Sequence, residues 1–317
     1  MTAGRVTRVS VIMAVYNGAA TISRALDSAF AQRSAPEFEI IVANDGSTDA
    51  TAETLQRYAG RITVIEGEHR GNGPARNRAI ARARGEYLAF LDADDAWLPD
   101  KLARTVAVLD RDPGCVLVYS NATLVDRSGR VLGLYVRRES AYAPALDEMF
   151  NYFWPILESM TVMRRTAFDA AGGFWEEPGA YRVNGVGFLW MRMRELGHFH
   201  YIAESLVLLE GSDYPDYIDK NAVGRKVLAR LVRQRYGAAA SRRLSRGIQR
   251  AIKRDHRHHL GYLGLVAIRE GRTAEARRFF MRALRYDPTD VRNALRLVRT
   301  FLPAPVARAL TGRSRGA

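Results

Sequence analysis

The stretch that decides the reading is Glu86-Tyr87-Leu88-Ala89-Phe90-Leu91-Asp92-Ala93-Asp94-Asp95. Its apolar half reads as a buried strand, and the acids begin where that strand ends. Asp92 and Asp94, at i and i+2, offer hard oxygen ligands to a divalent cation such as Mg2+ or Mn2+, which can in turn hold a diphosphate. An isolated Asp-x-Asp is more often solvated surface, so the setting of this pair in the chain decides its meaning.

Working outward, a strand–loop–helix pattern repeats. Residues 8–15 read as a buried strand broken by Tyr16-Asn17-Gly18. Thr21 to Ala31 follow as an amphipathic helix with Ile22, Ala25, Leu26 and Ala29 on one face. Phe38 to Ala43 form a second strand ending at Asn44-Asp45-Gly46-Ser47, and Thr48 is placed to cap a helix from Asp49 to Tyr58. Arg61 to Glu66 form a third strand, and Ala75 to Arg84 a helix that Gly85 ends. Such alternation predicts a mostly parallel α/β sheet flanked by helices, with functional groups at the C-terminal ends of its strands. Tyr16, Asp45 and Asp92/Asp94 all fall at such ends. Further on, Pro99 to Leu109 and Phe188 to Leu196 read as helices, and Cys115 to Ser120 and Tyr201 to Leu209 as strands.

The chain has 317 residues and a formal charge of +14, unevenly placed. Residues 1–220 carry 24 Lys/Arg against 29 Asp/Glu, whereas residues 221–317 carry 24 against 5, a net of +19. A single cysteine, Cys115, excludes a disulfide scaffold or a multi-cysteine metal site and fits a reducing compartment. No signal peptide is read before the first strand, and no stretch is apolar enough to predict a membrane span. A cytoplasmic protein is expected, peripheral at the inner face of the membrane if its basic tail meets lipid.

The set of strand-end loops resembles family-2 inverting, nucleotide-sugar-dependent glycosyltransferases of the GT-A fold. The matching pieces are Val9 to Asn17, Ile41 to Asp49, Gly73-Pro74-Ala75-Arg76-Asn77, Tyr87 to Asp95, and Leu98-Pro99. The resemblance is dense over residues 8–120, looser to about 210 and absent in the tail. It implies a UDP-, GDP- or dTDP-linked sugar donor, Mg2+ or Mn2+, and a hydroxyl acceptor such as a lipid-linked saccharide, polysaccharide or secondary metabolite. Carried over residue by residue, it puts Ala14 and Tyr16 at the nucleobase and Asp45 in a hydrogen bond to it. Arg76 stands beside the nucleotide, Asp92 lies near ribose and cation, Ala93 is a further donor-binding position, and Asp94 is the main metal ligand. Asn44 stands where the family usually has Asp, and Asn can still order the turn.

On the acceptor side the chain departs from the family. An inverting transfer needs a general base, which the resemblance places a few residues before an aromatic-rich helix. Here that helix is Phe188-Leu189-Trp190-Met191-Arg192, and the matching positions are Gly185 or Val186. The candidate replacements are Glu158, Glu176 and Glu177. Two other readings stay open: the acceptor supplies its own base, or the chain is a nucleotide-sugar-binding scaffold or regulator without turnover. His198 and His200 read as packed or surface residues.

The chain divides into a GT-A domain over 1–219, with nucleotide half 8–120 and acceptor half 121–219, and a basic helical extension over 220–317. Residues 258–300 resemble one tetratricopeptide-type unit, with a Gly271-Arg272 turn and an Asp287-Pro288 stop. The tail lacks the aromatic interleaving of a nucleic-acid binder, which leaves an anionic membrane surface or a protein as its expected partner. Arg296, Arg299, Leu302, Val306 and Leu310 suit an amphipathic end that Pro303 and Pro305 interrupt.

Overall fold

The fold was obtained as a computed structural model, which describes residues 7–126, 128–135, 144–150, 156–176, 185–210, 222–269 and 271–302. The chain runs β1 (Val9–Val15), α1 (Ile22–Phe30), β2 (Phe38–Asn44), α2 (Thr51–Gln56), β3 (Thr63–Glu66), α3 (Asn72–Ile80), β4 (Tyr87–Phe90), β5 (Ala96–Trp97) and α4 (Lys101–Arg111). Then come β6 (Cys115–Val125), β7 (Val131–Leu134), α5 (Leu146–Met149), a 3-10 turn (Glu158–Met160), β8 (Thr161–Arg164), α6 (Arg165–Ala170), α7 (Gly185–Leu196) and β9 (His198–Glu210). Three helices complete the chain: α8 (Ala222–Arg269), α9 (Thr273–Tyr286) and α10 (Val291–Arg299).

The strands form one sheet in the order β3-β2-β1-β4-β8-β6-β9-β5, with β7 on β6. β1 is buried along its whole length, as an apolar run covered on both faces requires. It lies parallel between β2 and β4, with Val15 opposite Asn44 and Ile12 opposite Phe90. The three strand ends of interest are therefore neighbours. Gly85 lets the chain pass close under β1; a Cβ there would stand 2.5 Å from Ser10 N and 2.7 Å from Val9 C.

The expectation of a mostly parallel sheet holds for β1 to β4 and again for β6 with β9, and the remaining pairings make the sheet a mixed one. β8 runs antiparallel to both β4 and β6, and β5 antiparallel to β9. The reason lies in the Glu158–Met160 turn. Its Ser159 accepts a hydrogen bond from Asp92 N at 2.9 Å, so the chain enters β8 from the C-terminal end of β4 and must run backwards. β5 escaped the sequence reading because two residues show no alternation. Thr48 does not cap α2. Its N–H goes to Asn17 Oδ1 at 2.8 Å, and Asp49 Oδ1 takes the Thr51 N–H at 3.0 Å instead.

The chain forms two compact units. The first comprises residues 1–213 and 221–244, and includes the sheet; the second comprises 214–220 and 245–317. Within the first, α8 breaks at Gly237 (φ 86°, ψ 173°), and Arg235 pairs with Glu195 of α7. Within the second, Ala267, Ala276 and Phe280 form a small core joined by Leu265, Phe279 and Leu297. Asp290 caps α10 by accepting from Arg292 N and Asn293 N. No helix among the described residues is long and apolar enough to cross a membrane.

At the start of α4, Lys101 is wholly buried and its Nζ donates to Met160 O at 2.5 Å. Burial pushes its pKa down to about 7. Between that value and the ordinary lysine value of 10.5, the unfolded chain holds one more proton than the folded one, so wild-type stability rises with pH across that window. Lys101→Met removes a buried charge. It is expected to raise the thermal midpoint below pH 7, by about 1–3 kcal/mol of stability, with the difference shrinking towards pH 10. Melting curves of the two proteins from pH 6 to pH 10 measure this; a midpoint lowered equally at every pH contradicts it.

Candidate functional site

The site is built on loops that leave three adjacent parallel strands. After β1, Tyr16 is 43% exposed and Asn17 takes a left-handed conformation (φ 53°). This loop is stitched to the one after β2. Asn17 N donates to Ser47 Oγ at 2.9 Å, Gly18 N to Thr51 Oγ1 at 2.9 Å, and Ala19 N to Asp49 Oδ2 at 3.2 Å. Asn44 Oδ1 accepts from Ser47 N at 3.2 Å, so the asparagine does order its turn.

Asp45 is buried, and its carboxylate draws the loop between β3 and α3 onto the site. Gly71 N donates to Oδ2 at 2.7 Å, while Arg70 N and Arg78 Nη2 donate to Oδ1 at 3.2 and 2.9 Å. His69 Nδ1 stands 2.9 Å from Oδ2, and the His69 ring stacks on Tyr16 with centroids 3.8 Å apart. Gly46 (φ 74°) makes this approach possible, since a Cβ there would lie 2.9 Å from His69 N.

The acidic loop after β4 is held from behind. Arg76, only 3% exposed, donates Nη2 to Asp92 Oδ1 at 2.5 Å and Nη1 to Glu158 Oε1 at 2.6 Å. Burial acts against its charge, but Asp92 and Glu158 outweigh that and raise its pKa. Ser159 Oγ donates to Asp95 Oδ2 at 2.6 Å, and Glu210 N donates to Asp95 Oδ1 at 3.1 Å. Arg24 Nη2 reaches both Asp94 O (2.5 Å) and Glu210 Oε2 (2.6 Å). Acids crowd here. Asp94 is exposed at the loop surface, yet desolvation by the protein packed around it, and then the charge of Asp92, push it up to about 6. Burial and the same neighbours raise Asp95 further above its ordinary value. Burial, with a smaller contribution from Asp92, raises Glu158 against the opposing pull of Arg76.

Among the described residues no group of three His, Cys, Asp or Glu side chains converges as a ready metal cage. Asp92 and Asp94 still fit a hard divalent cation. The donors are carboxylate oxygens, and a cation would relieve both the desolvation that chiefly raises Asp94 and the smaller repulsion from Asp92.

The structure brings Tyr16, Asp45, Asp92 and Asp94 to one end of the sheet, with Ala14 buried in β1 and Ala93 half-buried between the two acids. Arg76 lies behind the carboxylates as their counter-ion. Glu158 pairs with Arg76 and not with the neighbouring Arg164 or Arg165. Glu176 Oε1 accepts from Asn77 Nδ2 at 2.9 Å, on the α3 side. Glu177 lies outside the described residues, as do Val306, Leu310 and the two prolines that interrupt that end. Gly185 and Val186 begin α7, and His198 pairs with Asp112 at 2.7 Å. Sequence reading missed His69, Arg78, Ser159, Glu210 and Arg24, which only tertiary packing assembles. Asp95 stood in the quoted stretch, and its direct succession to Asp94 was the available signal.

A family model described as "Glycosyl transferase family 2" matches residues 10–170. The chain is 34% identical over 170 residues to the succinoglycan biosynthesis protein ExoO of Rhizobium meliloti, covering 49% of this chain and 48% of that protein. It is 36% identical over 132 residues to the putative teichuronic acid biosynthesis glycosyltransferase TuaG of Bacillus subtilis, covering 40% and 52%. An uncharacterized glycosyltransferase of Rickettsia typhi is 35% identical over 153 residues, covering 48% and 47%. The chain thus spans about half the length of the curated relatives it matches. Among solved structures, S. aureus TarS 1–349 in complex with UDP-GlcNAc superposes with a TM-score of 0.59 at 17% identity, covering 98% of this chain and 93% of that one. A further structure of S. aureus TarS gives 0.58 at 20% identity, covering 90% and 54%. The architecture is accordingly GT-A type and Rossmann-like, with C-terminal helices.

Because Arg76 neutralises two enclosed acids, Arg76→Met is expected to lower stability by about 3 kcal/mol, and adding Glu158→Gln to recover part of that loss. Urea unfolding of wild type, single and double variants measures the coupling; purely additive effects contradict the bridged arrangement.

Proposed function

The chain belongs to glycosyl transferase family 2, and from that premise we propose that it transfers a sugar, with inversion, from a nucleotide-diphosphate sugar to a hydroxyl acceptor. The observation that carries this reading is the convergence of Tyr16, Asp45 and Asp92/Asp94 at the ends of β1, β2 and β4. The exposed Tyr16 ring and the buried Asp45 carboxylate suit a nucleobase. Mg2+ or Mn2+ held by Asp92 and Asp94 would neutralise the charge that grows on the leaving diphosphate. Two of the relatives are named for succinoglycan and teichuronic acid biosynthesis, which supports a saccharide acceptor, lipid-linked or polymeric.

Glu158 is our choice of base. It shares Arg76 with Asp92, its side chain is 16% exposed, and its proton affinity is raised by burial. In the transfer the acceptor oxygen bonds to the anomeric carbon and gives its proton to Glu158. The bond from that carbon to the diphosphate oxygen breaks, and the electron pair leaves with the diphosphate. Arg76 holds Asp92 and Glu158 in place while this occurs. Gly185 and Val186 at the start of α7 motivate the rival reading, a nucleotide-sugar-binding protein without turnover.

The second unit supports a membrane role for the extension. Val291, Leu295 and Val298 of α10 are exposed at i, i+4 and i+7, beside Arg292, Arg296 and Arg299. An apolar stripe flanked by arginines, within a segment of net charge +19, fits an anionic bilayer surface at the cytoplasmic face. The Gly271 turn and the Asp287-Pro288 stop keep the likeness to a tetratricopeptide-type hairpin, for which a protein is the competing partner.

Asp94→Ala is expected to cut donor hydrolysis or transfer by about 10²-fold or more. Glu158→Gln is expected to lower kcat by about 10²–10⁴-fold while leaving nucleotide Kd unchanged. Glu176→Gln should leave both near wild type. Metal-dependent nucleotide binding with no turnover on any acceptor favours the rival. Sedimentation at low salt is expected to find the full chain with anionic vesicles and not with neutral ones; equal partition argues for a solvated basic face.

A further inference from the structure

The nucleobase side of the site already holds a ring of the protein's own. His69 lies face to face with Tyr16, with 24° between the ring planes and 3.8 Å between centroids. Its Nδ1 stands 2.9 Å from Asp45 Oδ2. The His69 side chain is 43% exposed and that of Asp45 only 1%, so a part-exposed stack lies over a buried carboxylate. A flat nitrogen heterocycle, face on an aromatic ring and edge on a carboxylate, is the pose a single-ring base would take. Two rings in direct stack leave no space for a third between them.

We propose that His69 occupies the nucleobase position in the donor-free protein, and that a uracil-type imide ring takes its place when donor binds. This rests on the transferase reading and narrows its donor to a uridine- or thymidine-linked sugar.

The choice of base follows from the vacancy that His69 leaves. Asp45 still accepts from Gly71 N, Arg70 N and Arg78 Nη2, so departure of the imidazole frees one place on Oδ2. One ring N–H fills one place. Uracil and thymine carry a single ring N–H between two carbonyls. Cytosine turns a lone pair to the carboxylate at that position, and guanine brings a ring N–H together with an amino group that needs a second acceptor. Arg78, bonded to the same carboxylate, keeps Nε and Nη1 buried without an acceptor in the protein, which suits an incoming carbonyl. His69 is held by its stack on Tyr16 and by its Nδ1, which faces both Asp45 Oδ2 at 2.9 Å and Asp45 O at 3.2 Å; with the imidazole itself 43% exposed, these contacts together are worth about 5- to 30-fold in affinity.

The test is titration calorimetry of the full chain with UDP, CDP and GDP in the presence of magnesium, on wild type, His69→Ala, His69→Asn, Tyr16→Ala and Asp45→Asn. We expect both His69 variants to bind UDP about 5- to 30-fold more tightly than wild type. Wild type should prefer UDP to CDP and GDP, and Tyr16→Ala and Asp45→Asn should weaken UDP. In stopped flow, the observed UDP binding rate should level off with concentration in wild type and rise linearly in His69→Ala, as removal of a gating step requires. UDP affinity unchanged or reduced in both His69 variants overturns the proposal. If Tyr16→Ala and Asp45→Asn bind UDP like wild type while Asp94→Ala still abolishes turnover, the base lies elsewhere and the transferase reading survives. If wild type neither binds a nucleotide nor turns over a donor, that reading fails first.

Discussion

A single guanidinium, that of Arg76, stands between Asp92 and Glu158 with almost no exposure of its own. Carboxylates this close would repel one another and drift towards protonation without it. Arg76 comes from α3, Asp92 from the loop after β4, and Glu158 from the turn that opens β8. One cation thus ties a helix, the acidic loop and the entry to the second half of the sheet into a single arrangement. Ser159 reinforces it, accepting from Asp92 N and donating to Asp95. Asp92 and Glu158 can converge because the guanidinium between them offsets their repulsion.

The half of the sheet built on β1, β2 and β4 was the legible one, for a reason of geometry. A parallel sheet lines up the C-terminal ends of its strands, so buried apolar runs that stop at Tyr16, Asp45 and Asp92 place those residues together without knowledge of distant contacts. The rest depends on pairings far apart in the chain. Arg76 was read beside the nucleotide, but its counter-ion Glu158 is 82 residues away. The direction of β8 depends on Ser159 meeting Asp92, and the existence of β5 on Leu208 and Val207 of β9. Thr48 failed as a cap because Asn17, from another loop, took its N–H. Local signals predicted elements; side chains that bridge elements were silent until the fold assembled them.

The half of the chain from β6 to β9 poses a different problem. α7 begins at Gly185, and Gly185 and Val186, the positions where the resemblance placed the general base, carry no proton-accepting side chain. Glu158, raised in proton affinity by burial, provides a carboxylate on the other side of the acidic loop. On the proposed assignment of Glu158 as base, control of its proton passes to the same Arg76 that orients Asp92. Donor-side and acceptor-side electrostatics then share one element.

β8 is hydrogen-bonded to β4 on one edge and to β6 on the other. The two halves of the first unit are therefore one continuous sheet with no seam between them. A seam is what a clam-shell enzyme uses to close around its substrates, and this molecule has none there. Opening one would break two ladders of backbone hydrogen bonds at once. Along β4, β8 and β6 the sheet therefore holds together as one piece, and any rearrangement there falls to side chains and to the loops at Tyr16, Asp45 and Asp92.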